Sequence, residues 1–510
     1  MEIFIFFPSW VLTALLVLFM SFIVYSRKSS SNVVYKLPPN PPKLPIIGNL
    51  HHLLWQPRPQ ALWQLSQKYG PIFHLYIGSK PLLVISSSAM AKQVMKTQDH
   101  IFCSRPNFKA TKRLTYNFLD IAFSPQSSLR REKRKILVSE FLGPKKAKSF
   151  NQILVLETES MVRSLSLDVS KEEVNVSKIF LTTVKEVVCK AAFGMNYKEK
   201  PSKLGLSWQE ILDEAALMLN GSLGDNFPWL GEIFDIVSGW NSRLEKCFAN
   251  LDAYIQMILD EHLNHKIEEI CDEDKDFVHR LIELSSNENA SNHRLTKDDM
   301  KAVIMNVFTG GIDTTVSSME WTMSEIAKNP RVMHKLQSEI RNTAGKIQNV
   351  SEMDITNMTY LRMVVKESLR LHPPAPLLVP HECFSHCQIG GYDVFPGTSA
   401  ILNVWGIGRD PSVWGENAEE FYPERFENLD VDFGVGNFEM APFGAGRRSC
   451  PAMNTAPITV EFVVANLLYW FDWKVPNGAK NEDLDMEEEG TLIVHKKSPL
   501  CLVPTNISMA

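Results

Sequence analysis

The chain has 510 residues, 45% of them hydrophobic and 22% charged, with a formal net charge of -5. That composition suits a globular body with a large core, and so small a charge gives no reason to propose nucleic acid as a partner. The eight cysteines are sparse and show no disulfide framework, which points to a reducing compartment.

From Ile3 to Tyr25 there is no charged residue, and Phe, Leu, Val and Ile dominate. The run exceeds the roughly 20 residues needed to cross about 30 Å of hydrocarbon. Arg27 and Lys28 follow at once and Lys36 soon after, which puts the body on the cytoplasmic side. A cleaved signal peptide fits less well, because Glu2 is acidic, no basic residue precedes the run and no small-residue cleavage site stands out. Residues 1–28 are therefore expected to be a single-pass anchor in membrane lipid. Residues 29–49 are expected to be a hinge, held extended by Pro38, Pro39, Pro41 and Pro42. Residues 50–510 read as one body. Length alone suggests about three domains, but no clear linker divides it.

Ile72–Ile77 and Pro81–Ile85 read as short strands joined around Gly78. Residues 205–220, 245–270, 297–328, 331–345 and 360–372 carry apolar side chains at three- and four-residue steps, the helical pattern. Cys271 to Asp276 reads as a solvated, mostly acidic turn. Strands return near 387–394 and 491–504. The expected class is mostly α with small β-sheets.

Four constellations carry chemistry. A basic run, Leu129-Arg130-Arg131-Glu132-Lys133-Arg134-Lys135, reads by itself as a solvated helix face, Lys133 included. Thr296 to Asn329 reads as one long helix, capped by Thr296 with Asp299 and stopped at Asn329-Pro330. In its middle, Gly310 and Gly311 each cost about 1 kcal/mol relative to alanine. Glycine there lets a flat ligand lie against the backbone, and Thr314 can bond back to the Gly310 carbonyl and open the ladder. Glu367 and Arg370 share a helix face three residues apart, ahead of the Pro373-Pro374 break, with Pro423-Glu424-Arg425-Phe426 downstream. Last, Pro442-Phe443-Gly444-Ala445-Gly446-Arg447-Arg448-Ser449-Cys450-Pro451 sets one cysteine after a glycine-rich turn with two arginines. Turn N–H groups and guanidinium charge favour a thiolate there. Two decoys are set aside. His381-Glu382-Cys383-Phe384-Ser385-His386-Cys387 has zinc-ligand types, but no second ligand pair follows. Gly434-x-Gly436 and Gly444-x-Gly446 lack the strand–turn–helix setting of a dinucleotide site.

Phe443, Gly446, Arg448 and Cys450 match Phe-x-x-Gly-x-Arg-x-Cys, and with the other motifs the chain resembles the cytochrome P-450 superfamily, in particular its plant-type microsomal members. The resemblance runs from the anchor and hinge to the C-terminal strands. It implies the cytochrome P-450 fold behind one transmembrane helix, and haem b with Cys450 as the axial iron ligand. It implies a loop of Phe443, Gly444 and Gly446 around the cofactor, and propionate partners in Arg131, Arg448 and His381. Asp313 and Thr314 take the acid–alcohol roles in water and proton management. Glu367, Arg370 and Arg425 form a buried structural triad. Arg134, Lys135 and Arg447 offer a basic surface to NADPH–cytochrome P-450 reductase.

The substrate pocket implied by the same resemblance is apolar: Phe118, Leu119, Ile312, Leu377, Leu378, Val379, Leu492 and Ile493. The implied activity is a monooxygenase in the endoplasmic reticulum membrane with its body in the cytosol. It would insert one atom of O2 into a lipophilic small molecule, a terpenoid first, with phenylpropanoids or alkaloids as alternatives. The rival activities are a haem-thiolate isomerase or dehydratase and a haem-binding protein without turnover. Two residues depart from the family pattern, Arg130 where tryptophan is usual and Ala452 where glycine is usual.

Overall fold

The computed structural model describes residues 35–168, 173–194, 208–219, 221–227, 231–264, 271, 275–286, 294–345, 350–429, 431–433 and 436–506. The expected anchor lies outside these. Among the described residues no helix is long and apolar enough to cross a membrane.

The elements that position the site are few. Strands β1 (Ile72–Ile77) and β2 (Lys80–Ile85) precede helices α1 (Ser128–Glu140), α2 (Val176–Phe193) and α3 (Trp208–Met218). Then come α4 (Lys297–Gly311), α5 (Asp313–Lys328), α6 (Pro330–Ala344) and α7 (Thr359–Leu371). After β3 (His381–Glu382) and β4 (Ser399–Leu402) follow α8 (Ala456–Trp470), β5 (Glu488–Gly490), β6 (Val494–Lys496) and β7 (Cys501–Asn506). The main sheet runs β1-β2-β4-β3, with β2 and β4 parallel and the other pairs antiparallel. The turn after β1 needs glycine: Gly78 has φ +59°, and a Cβ there would lie 2.3 Å from the Asn226 carbonyl oxygen.

The helical body is built around α5 and α8, which are buried on nearly every side. α5 hides its polar groups by bonding them. Ser317 Oγ donates to the Val494 carbonyl at 2.7 Å, Thr322 Oγ1 to Ser368 Oγ at 2.9 Å, and Ser324 Oγ to the Glu320 carbonyl at 2.7 Å.

The expected helices are present as Trp208–Met218, Trp240–Leu263, Pro330–Ala344 and Thr359–Leu371. The capping box also forms: Thr296 N donates to Asp299 Oδ2 at 2.9 Å, and Asp299 N to Thr296 Oγ1 at 3.1 Å. The single long helix does not. It breaks between α4 and α5 at Ile312, because the hydroxyls of Thr314 and Thr315 take up the carbonyls of Gly310 and Gly311 at 2.6 and 2.8 Å.

Two further expectations are corrected. Lys133 is not solvated. Its ammonium is buried, pairs with the capping carboxylate Asp299 and donates to the Leu119 carbonyl at 2.5 Å. Asp276 does not end a solvated turn either. It is buried against His262 Nε2 at 3.0 Å and accepts the His279 backbone N–H at 2.9 Å. The described part of the hinge lies on the sheet edge. The Pro39 carbonyl accepts His74 N at 2.8 Å, and Asn49 Nδ2 donates to the Pro41 and Pro42 carbonyls.

Candidate active site

The cysteine loop is a tight turn closed on itself. Cys450 N donates to the Phe443 carbonyl at 2.8 Å, and Gly444 N to the Ala441 carbonyl at 3.0 Å. Gly444 and Gly446 have φ of +64° and +67°. A Cβ on Gly446 would come within 2.4 Å of the Met95 carbonyl oxygen, so the loop can pass Met95 only with glycine there. The ring of Phe443 packs edge-on against Phe433. Ala452 is accommodated: its carbonyl accepts Thr455 N and Ala456 N, starting the turn that leads into α8. Burial pushes the Cys450 thiol up, opposed by the Ala452 N–H and the Arg134 guanidinium. A coordinated metal reverses that balance, because it deprotonates a bound thiol outright.

Beside the loop lies a cluster of buried cations. Arg105, Arg130 and Arg448 are all buried, and the nearby buried carboxylate is Asp120. Arg448 Nε donates to the Cys103 carbonyl at 2.7 Å, Arg105 Nη1 to the Val379 carbonyl at 2.6 Å, and Arg130 Nε to the Ile121 carbonyl at 3.0 Å. Desolvation pulls all three guanidinium groups down, Arg130 to about 10 and Arg448 to about 9, and each feels the repulsion of a neighbouring arginine. His381 faces the same cluster. Its ring bonds the Phe102 carbonyl at 2.8 Å, and burial with Arg105 and Arg448 keeps it neutral. Three buried guanidinium charges face Asp120, and the further carboxylate Asp99 is already paired with Arg447, which leaves an excess of buried positive charge. A dianionic ligand removes that excess, and the two propionates of haem fit it.

Of the expected propionate partners, Arg448 and His381 are in this cluster and Arg131 is not. Arg131 is exposed, one residue round α1 from the inward face. That face carries Arg130 and, four residues on, Arg134, whose Nη2 donates to Ser449 Oγ at 3.2 Å. Sequence reading also missed Arg105, since a lone arginine before a proline carries no periodic signal. Arg447, expected on an open basic surface, is tied to Asp99 Oδ2 at 3.1 Å.

Glu367, Arg370 and Arg425 come together in one cluster. Glu367 takes Arg370 through two bonds of 2.6 and 2.8 Å, and Arg425 Nε at 2.8 Å. Glu367 and Arg370 are fully buried, and the remaining guanidinium donors reach main-chain carbonyls such as those of Ala418 and Trp414.

At the helix break Thr314 Oγ1 donates to the Gly310 carbonyl, and Asp313 Oδ1 lies 3.0 Å from His495 Nε2. Sequence reasoning misses His495. The only sequence signal was an ionisable residue inside a strand expected near 491–504.

The residues expected to line an apolar pocket come from several segments. Leu378 Cδ1 is 3.7 Å from where a Gly444 Cβ would sit. Phe118 and Leu119 precede Asp120 and Ile121, which are held on α4 by Asn306. Ile312 is buried at the break. Leu492 and Ile493 lead into β6, and Val494 N donates to the Pro374 carbonyl at 2.9 Å, close to Leu377 and Val379 in sequence. The zinc decoy does not converge: His381 turns to Phe102, while His386 Nε2 turns to Asp393 at 3.0 Å.

Residues 38–502 match the family model described as Cytochrome P450. The chain is 52% identical over 502 residues to parthenolide synthase of Tanacetum parthenium, covering 98% of each. It is 43% identical over 506 residues to eupatolide synthase of Helianthus annuus, covering 99% of each. Among solved structures, a zebra fish cytochrome P450 with progesterone superposes with a TM-score of 0.74 at 25% identity, over 88% of this chain and all of that one.

Proposed function

This chain belongs to the cytochrome P450 family and is a haem-thiolate monooxygenase, and we propose that its substrate is a lipophilic terpenoid. The observation that carries the substrate reading is the 52% and 43% identity, over nearly the full length of each chain, to parthenolide synthase and eupatolide synthase. The bound haem supplies the chemistry of dioxygen activation. The protein's own part is to hold, orient and supply protons. Arg105, Arg130, Arg448 and His381 would hold the propionates, and Cys450 would supply the thiolate to the iron. Phe118, Leu119, Ile312, Leu377, Leu378, Val379, Leu492 and Ile493 exclude water around an apolar substrate. Thr314, whose hydroxyl donates to the Gly310 carbonyl, would accept a hydrogen bond from a water at the helix break, and Asp313 beside it would hold and pass on a proton.

The test is to reconstitute the full chain with NADPH–cytochrome P450 reductase and offer terpenoid, phenylpropanoid and alkaloid panels. Terpenoids are expected to give NADPH-dependent products. Products from phenolic substrates only would overturn the substrate reading, and turnover without NADPH or O2 would favour an isomerase or dehydratase.

In the same assay Thr314→Ala is expected to part electron use from product formation. Substrate binding changes little, since one small hydroxyl is lost, but more NADPH ends as peroxide. An unchanged ratio of product to NADPH would remove Thr314 from the proton path.

The cellular setting follows from the uncharged run at Ile3 to Tyr25 and the basic residues after it. Residues 1–28 anchor the chain in the endoplasmic reticulum with the body in the cytosol, and the prolines after it form the hinge. Deleting residues 1–28 is expected to move much of the holoprotein to the supernatant after membranes are pelleted. Full-length protein in that supernatant would refute the anchor.

A further inference from the structure

We propose that His495 serves the monooxygenase reaction as a positioning residue for Asp313, holding its carboxylate and returning to it, from solvent, the proton that it passes on. The inference rests on the monooxygenase reading. It starts from how firmly β6 is fixed. The Val494 carbonyl accepts Ser317 Oγ and Trp321 Nε1, Val494 N is bonded to Pro374, and Lys496 N donates to Glu320 Oε2 at 3.3 Å. Strand alternation then buries Val494 and Lys496 and turns His495 the other way.

The imidazole sits between carboxylates. Nε2 is 3.0 Å from Asp313 Oδ1, and Nδ1 is 3.9 Å from Glu320 Oε2. The other oxygen of Glu320 accepts the Ser177 hydroxyl, which fixes that carboxylate as an acceptor. Asp213 of α3 adds its field, and Glu489 stands opposite in the β5 register. The adjacent cation in β6, Lys496, is turned away to the Asp485 carbonyl. Burial alone would lower the ring, but Asp313, Glu320 and Asp213 overcome it and hold His495 above its ordinary value. Both partners stay partly open, at 30% and 34% side-chain exposure, so the pair is in contact with solvent.

The step balances simply. The Nε2–H bond breaks and an Oδ1–H bond forms on Asp313. The ring is left neutral with its Nδ1–H toward Glu320. A solvent proton then restores Nε2–H. The cationic ring exists below its raised pKa and is lost as pH rises through it, so proton return fails on the alkaline side.

The competing role is a staple that only ties β6 to α5. His495→Gln separates the two, because the amide still donates to Asp313 but cannot carry the proton. The assay uses the full-length holoprotein with reductase, NADPH and O2 alone, so it does not depend on a substrate. The wild-type share of electrons released as peroxide is expected to rise with pH. His495→Gln and His495→Ala are expected to raise that share several-fold at neutral pH and to flatten its pH profile, with haem content and melting temperature unchanged in the glutamine form. A second readout needs no turnover. In the reduced, CO-bound form with 13C-labelled histidine, the His495 resonance is expected to titrate above the ordinary value and to fall back in Asp313→Asn. A glutamine variant with the wild-type peroxide share and pH profile, or a His495 titration indifferent to Asp313→Asn, would overturn the proposal. Wild type that oxidises no NADPH would instead count against the monooxygenase reading, and the titration would still decide the pair.

Discussion

Glu367→Ala is expected to leave almost no holoprotein. The carboxylate is fully buried and takes three guanidinium bonds from Arg370 and Arg425 together with the Tyr422 backbone N–H. Without it, Arg370 keeps its full charge in a dry interior with only carbonyl dipoles to offset it. Stranding one partner of a buried pair costs about 3–5 kcal/mol, against a typical domain stability of about 5–15 kcal/mol. The effect also reaches the site, because Arg370 and Arg425 tie α7 to the main chain around Trp414 and Ala418, ahead of the cysteine loop. The exposed pair Lys497–Glu487 is the natural control. Its removal should leave haem content and melting temperature nearly unchanged, since solvent screens such pairs. The measurement is haem incorporation and melting temperature in both variants. Equal values for Glu367→Ala and wild type would mean that the triad does not hold the body together.

Much of this was legible because local patterns carried it. The capping box at Thr296, the proline stop at Pro330, the glycine-rich turn before Cys450 and the back-bond from Thr314 to Gly310 each involve residues within a few positions of one another. Such contacts follow from spacing alone. What was not legible depends on which face of an element meets its neighbour. The basic run on α1 offered six long polar side chains with no apolar stripe to orient them. Arg131 was therefore chosen by motif, while packing turned Arg130 and Arg134 inward and buried Lys133 on Asp299, more than 160 positions away. His495 and Arg105 were hidden for the same reason. Their partners, Asp313 and the carbonyls of Val379 and Pro380, are distant in sequence. The break at Ile312 was half legible: the loosened ladder was foreseen, but not that two threonines would act together and end the helix.

The second large effect is expected at Cys450. Cys450→Ser should abolish activity and remove the red-shifted Soret band of the reduced, CO-bound protein. The argument is electrostatic before it is spectroscopic. The thiol sits in a half-buried turn whose desolvation raises its pKa, with one guanidinium, Arg134, and one N–H, Ala452, in opposition. Sulfur ionises there once a metal takes the place of the proton, since thiols start near 8.5 and metals deprotonate them outright. A serine hydroxyl starts far higher and is a harder donor, so the same turn would hold it neutral. The loop itself should survive, because the Phe443 carbonyl accepts the backbone N–H of residue 450 and Gly444 and Gly446 are untouched. Haem is then still expected to enter, drawn by the excess positive charge of Arg105, Arg130 and Arg448, but without thiolate ligation. The distinguishing measurement is therefore the CO-difference spectrum at matched haem content. A serine variant with the wild-type band would show that another group ligates the iron. A variant with haem bound, the band lost and no turnover would separate the two jobs of this site, charge capture by the arginines and electron donation by the sulfur.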